Sequence, residues 1–277
     1  MKFENLINFI DVALPTRLSV SGDSDGIEIC TDRNLEIGRI LLTLDITFDT
    51  INYAMTHGYN CIISHHAMIY TPMKKLDLTT SASRKAVFLA KHEICAISAH
   101  TRLDSISGGV NDSLLEAIGV SPAEAEPFGN KDAENIGRIF NYSANTAKDF
   151  AEHIKKSLEY FYKNNYENKF DGEIPVSVKY KQGDKPVQKV AAVCGGGMGF
   201  VEDALKLGID TFFTGETSYS SMMSAYEFNP VGSRVNIVAA GHFETESVVL
   251  PYLKKIILGE FPNMPIDIYA VPFEHIL

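Results

Sequence analysis

The stretch ILLTLDITFDTINYAMTHGYNCIISHH, residues 40–66, sets one apolar run, one amphipathic segment and a second apolar run in succession. Ile40 to Ile46 and Cys61 to Ile63 read as strands covered on both faces, because neither alternates with polar residues. Between them Asp49 to His57 carries helical spacing. A strand, a helix and a second buried strand in this order predict a parallel pair joined by a crossover.

The same alternation continues along the chain. Further buried strands are expected at Ile94 to Ser98, Val190 to Cys194, Thr211 to Thr214 and Ile237 to Ala240. Helices are expected at Val110 to Ile118, Val201 to Leu207 and Glu246 to Leu258, closed by Gly119, Gly208 and Gly259 at their C-terminal caps. The chain is therefore α/β. The middle differs: Pro122 and Pro127 open it, the amphipathic Ala147 to Tyr162 follows, and the polar stretch KNNYENKFDG precedes an extended segment, Val176 to Tyr180. Two α/β lobes result, an N-terminal one over residues 1–125 and a second over residues 126–277.

Composition narrows the classes of function. With 277 residues and 45% hydrophobic content the chain can bury a substantial core, and no window reaches the length of a membrane span. A soluble cytoplasmic protein is the expectation. The four cysteines are widely separated and form no CxxC, which points away from a disulfide framework or a zinc ribbon. A net charge of -10 repels phosphate backbones and argues against nucleic acid as a partner.

The chemically capable residues fall just after the expected strands. His65 and His66 follow CIIS, His100 and Asp104 follow ICAISA, Gly195 to Gly197 follow VAAVC, Glu216 follows TFFTG, and His242 and Glu246 follow NIVAAG. In α/β sheets the carboxyl ends of strands are where ligands bind. His242 and Glu246 are spaced to share one helix face, as are His100 and Asp104. Mixed imidazole and carboxylate donors suit Zn, Fe or Mn. Each piece has a plainer reading: a loop pair, an i,i+4 surface contact, a turn cap, a tight glycine turn. Their joint placement after successive strands favours metal.

LDITFDTINYAMTHGYNCIISHHAMIY, AHTRLDSISGGVNDSLLEAIG, KVAAVCGGGMGFVEDALKLGIDTFFTGE and GHFETESVVLPYLKKII, in this order, resemble the NGG-interacting-factor-three-like family, also described as GTP cyclohydrolase 1 type 2 homologues. The resemblance runs from about residue 37 onward and weakens between about 122 and 188. It implies two similar lobes in an α/β/α arrangement, two divalent ions per chain in a cleft between them, and a toroidal homohexamer. The implied ligands are His65, His66, Asp104, His242 and Glu246, with Glu246 bridging and the block His242 to Glu246 returning to the shared site. His100 is a lesser ligand or a proton shuttle. Gly195, Gly196, Gly197 and Glu216 are candidate substrate contacts. The implied activity is metal-dependent hydrolysis of a nucleotide-like small molecule; the alternatives are a metal-binding scaffold acting through protein partners and a purely structural metal site. The chain lacks the inserted domain of longer relatives, and Ala67 stands where the family commonly has Pro.

Overall fold

The structure, a computed structural model, describes residues 1–166, 175–228 and 232–271. The end of the polar stretch KNNYENKFDG lies outside the described residues. In chain order the elements are α1 (Phe3–Ala13), β1 (Gly26–Ile29), β2 (Ile40–Thr43), α2 (Phe48–Thr56), β3 (Cys61–Ser64), α3 (Ser81–Lys91), β4 (Cys95–Ser98), α4 (Thr101–Ser105), α5 (Val110–Ala117), β5 (Glu126–Asn130), β6 (Ala133–Ala144), α6 (Ala147–Asn165), β7 (Lys179–Lys181), β8 (Val187–Val193), α7 (Val201–Lys206), β9 (Thr211–Thr214), α8 (Tyr219–Glu227), β10 (Asn236–Ala239), α9 (His242–Glu246), α10 (Leu250–Glu260) and β11 (Ile266–Tyr269). The alternation read from residues 40–66 is present as β2, α2 and β3. Thr47 caps α2 by accepting the Thr50 N–H.

The chain forms two compact units. The first comprises Met1–Ile106 and Leu250–Ala270, and the second is built on Ser107–Val249. The division falls at 106/107, ahead of the 125/126 expected from sequence, because α5 belongs with the second sheet. Asn111 on α5 donates to Ile136 O and accepts from Cys194 N, and Arg138 on β6 pairs with Asp112 at 2.5 Å. The return of α10 and β11 to the first unit was not expected either; β11 adds itself in parallel to β2, with Ile268 opposite Leu42.

In the first unit the sheet order is β1-β4-β3-β2-β11, with only β1 antiparallel to its neighbour. Leu41, Ile62 and Ala96 share one face and bury against Ile51 and Ala54 of α2 and Leu89 of α3. In-register pairing sets Thr43, Ser64 and Ser98 side by side, so three strands end at one level. The second unit has the order β5-β6-β8-β9-β10-β7, with β8, β9 and β10 parallel. Its core joins Ala191, Val193, Phe212 and Ile237 to Val201, Ala204 and Leu205 of α7. Each unit thus buries strands that carry almost no polar side chains, which is why their sequences show no alternation.

Three expectations are corrected. Glu246 to Leu258 is not one helix: α9 ends at Glu246, Ser247–Val249 tighten into a 3-10 turn, and α10 starts at Leu250. Pro251 stands in the first turn of α10, where its missing N–H leaves no bond unmade. Gly259 lies inside α10 rather than capping it, whereas Gly119 and Gly208 do adopt the positive φ of a helix terminus. The extended segment expected over Val176 to Tyr180 supplies a strand only at Lys179–Lys181.

Candidate metal centre

In the first unit the chemistry gathers where β3 and β4 end. The ladder between β2 and β3 continues past Ser64, His65 N–H bonding Thr43 O at 3.1 Å and His66 N–H bonding Leu44 O at 2.9 Å. Both histidines are thus fixed by backbone before their side chains are considered. His65 is fully buried. Its Nδ1 lies 2.9 Å from Ala99 O, and a carbonyl can only accept, so Nδ1 carries the proton and Nε2 the lone pair.

The same logic holds for its neighbours. His66 Nδ1 meets Asp45 Oδ1 at 2.9 Å, and His100 Nδ1 meets Asp23 Oδ1 at 2.7 Å. Each carboxylate accepts a hydrogen bond from Nδ1–H and leaves Nε2 as the nitrogen that could ligate a metal, the arrangement that orients metal-binding imidazoles. One ring nitrogen each from His65, His66 and His100 lies within 4.8 Å of the other two. Asp104 Oδ1 adds a carboxylate 3.6 Å from His65 Nε2. Three imidazoles and a carboxylate gathered this closely offer a cation several donor atoms at once. This donor set fits a borderline divalent ion such as Zn, Fe or Mn.

His100 is held firmly. Burial by itself draws its pKa down, but the hydrogen bond and charge of Asp23, with Asp104 beyond, outweigh it and hold the pKa above the ordinary value. Asp23 moves the opposite way: burial raises it, yet His100 and Thr101 hold it well below the usual carboxylate range. Asp25 accepts the His100 N–H at 2.5 Å. Arg102, fully buried, ties α4 down through Asp11 at 2.8 Å, Leu14 O at 3.1 Å and Ser98 O at 3.2 Å. That anchoring sets Asp104, two residues on.

In the second unit His242 opens α9 and Glu246 closes it. His242 Nε2 lies 3.0 Å from Glu246 Oε2, and its Nδ1 lies 3.2 Å from Glu216 Oε2. The i,i+4 spacing read from sequence therefore brings an imidazole and a buried carboxylate together on one helix face. Glu216 stands at the rear of the imidazole ring, on the side away from Glu246. Gly195 makes the approach possible: at φ +55, a Cβ there would come 1.8 Å from Glu246 Oε1 and 2.9 Å from His242 Nε2. The amides of Gly195 and Gly197 are already used, bonding Thr245 Oγ1 and Thr214 Oγ1 at 3.0 and 3.1 Å. Gly196 lies 3.8 Å, at its notional Cβ, from Glu216 Oε1.

Asp23, Asp25, Asp45 and Arg102 were not singled out in the sequence. Asp45, just past a strand end, carried a faint signal; the acidic turn GDSD carried less, since its partner His100 is 77 positions away.

Two α/β units and a set of histidines and carboxylates at strand ends define an α/β protein with residues that could hold a metal ion. A model of the family Duf34/NIF3 (NGG1p interacting factor 3) matches residues 1–275, and the chain belongs to that family. The match extends through the N-terminal region, where the resemblance read from sequence was weak. A Clostridium acetobutylicum relative named GTP cyclohydrolase 1 type 2 homolog is 28% identical over 96% of this chain and 93% of its own length. One of the same name from Clostridium perfringens is 32% identical over 90% and 88%. Among solved structures, a Staphylococcus aureus hypothetical protein superposes with TM-score 0.80 at 22% identity, covering 100% of this chain and 99% of the other. A Bacillus cereus protein related to NIF3 gives 0.77 at 20% identity over 100% and 99%. No helix among the described residues is long and apolar enough to cross a membrane.

Proposed function

We propose that the protein is a dinuclear metal-dependent hydrolase acting on a nucleotide-like substrate. The observation that carries this reading is the shared tautomer of His65, His66 and His100: each Nδ1 is committed to an acceptor and the three rings cluster within reach of one ion. The residues that would hold the divalent ions, Zn, Fe or Mn, are His65, His66, Asp104, His242 and Glu246. Divalent ions bound there would supply Lewis acidity, polarising a carbonyl or phosphoryl oxygen and easing the ionisation of water. Around them the chain's own residues have separate tasks. Asp45 and Asp23 keep His66 and His100 in one tautomer, and Glu216 does the same for His242. His100 moves a proton at Nε2, while Asp23 holds the other nitrogen.

The nucleotide-like substrate is supported by the name that the Clostridium relatives carry, and a ring-opening hydrolysis follows from that name alone. A cytoplasmic location belongs to the reading, and none of the four cysteines forms a disulfide. So does assembly as a ring of six copies, which sedimentation would test. The deciding measurement is metal content per chain in the untreated protein and in His65→Ala, together with turnover of GTP. About two ions in the first, clear loss in the second and a ring-opened product would support the proposal. Absence of bound metal in both would overturn it; bound metal without turnover of GTP or other nucleotides, with a protein partner retained, would replace the hydrolase by a scaffold.

A further inference from the structure

Glu28 belongs to none of the ligand sets above, yet it is built into the loop that carries His66. On β1 and β4, Ile27 pairs with Ile97 and Ile29 with Ala96, so Glu28 is the extra residue of a bulge in an edge strand. A bulge interrupts the alternation of side chains and re-aims the one it carries. Here the carboxylate turns to the segment after the histidine pair. Its Oε1 accepts the Met68 N–H at 2.8 Å and its Oε2 accepts the Ile69 N–H at 2.8 Å. Burial pushes the carboxyl pKa up against these donors and against Lys85, so the clamp is kept at an electrostatic cost.

The geometry around it gives the clamp a purpose. Upstream, the backbone is fixed where His66 N–H meets Leu44 O and where Ser64 Oγ donates to His66 O; downstream, the next fixed points are the amides of Met68 and Ile69. Ala67 lies between them and, lacking a ring, leaves its own φ unrestrained. One residue further, Ser24 Oγ donates to Tyr70 O at 2.9 Å, so the chain before β1 continues the same hold. Beyond His66, the path of residues 67–69 is therefore set by β1 and its approach.

We propose that Glu28 is a positioning residue of the metal site: by holding the amides of Met68 and Ile69 it fixes the loop and thereby the aim of His66 Nε2. The inference rests on the metal reading of His65, His66 and His100. Its test compares full-length wild type with Glu28→Gln, in which one amide would face an NH2 group instead of an oxygen. Three readouts are needed: Zn2+ affinity by competition with a chelating dye, hydrogen exchange at Met68 and Ile69, and the melting temperature of the chelated protein. Positioning predicts a loss of Zn2+ affinity of roughly tenfold or more, the range seen when a ligand's supporting groups are removed. It also predicts faster exchange at the two amides and a chelated protein that still melts within a few degrees of wild type. Glu28→Asp, which keeps the charge but shortens its reach, carries the same expectation and serves if the Gln variant does not fold. Unchanged Zn2+ affinity with accelerated exchange would overturn the proposal, as would an affinity loss matched by general unfolding. Failure of the wild type itself to bind Zn2+ would overturn the metal reading, and with it this one, before any substitution is made.

Discussion

The two groups of candidate ligands are built on different principles. In the first unit three imidazoles each donate from Nδ1 to a backbone carbonyl or a carboxylate, and one ring nitrogen of each lies within 4.8 Å of the other two. In the second, one imidazole lies between two carboxylates, with Glu216 at one nitrogen and Glu246 at the other. The first group is mostly imidazole, aimed by hydrogen bonds, with Asp104 beside it, and the second is dominated by carboxylate oxygens around a single ring. The first therefore specifies geometry and the second supplies charge. An ion drawn to either would be held for a different reason.

The most damaging change should fall on what anchors the first group. Arg102→Met leaves Asp25, only 5% exposed, facing a buried space without its guanidinium, and breaking such a pair costs about 3–5 kcal/mol. Urea unfolding would show the loss, and a variant as stable as wild type would mean that α4 is held by something else. Gly195→Ala comes next: the φ of +55 and the contact with Glu246 predict a loss of about 1–3 kcal/mol. It should disturb the second group while leaving Nδ1 proton signals of His65 and His66 in place by NMR.

Smaller effects sharpen the contrast. Asp45→Asn should weaken divalent-ion binding by about tenfold, as for other removed supporting carboxylates, yet change stability by under about 1 kcal/mol because the pair is half exposed. Glu216→Gln, at a side chain 64% exposed, should cost less than that in both respects. Calorimetric titration with Zn2+ and thermal melts of both variants would rank them. Last is a pH effect. Burial raises the Glu28 pKa in the folded chain, so between its ordinary value and the raised one the folded state binds more protons than the unfolded state. Stability then falls as pH rises through that window, and Glu28→Gln should flatten the slope.

How much of this was legible beforehand depends on the local character of each signal. β2, β3, β4, β8, β9 and β10 are continuous apolar runs, visible because both of their faces are covered. β1, half-buried throughout, and β7, exposed throughout, lie at sheet edges and carry no such run. α10 was misjudged at its start because the apolar spacing of GHFETESVVLPYLKKII continues across the 3-10 turn that separates it from α9. Histidines 65, 66, 100 and 242 were found because each stands directly after a buried strand. Their partners Asp23 and Glu216 are polar residues in turns, and only folding brings them beside a ring 77 or 26 positions away.

The parallel pairing of β11 with β2 has a consequence for how the chain is made. Ile266 to Tyr269 leave the ribosome only after every strand of the other unit has been synthesised, so the sheet that carries His65 and His66 waits, one edge uncovered, throughout that interval. Partners more than 220 positions apart close slowly, and the nascent protein must keep the open edge of β2 from pairing with a neighbouring chain until its own last strand arrives.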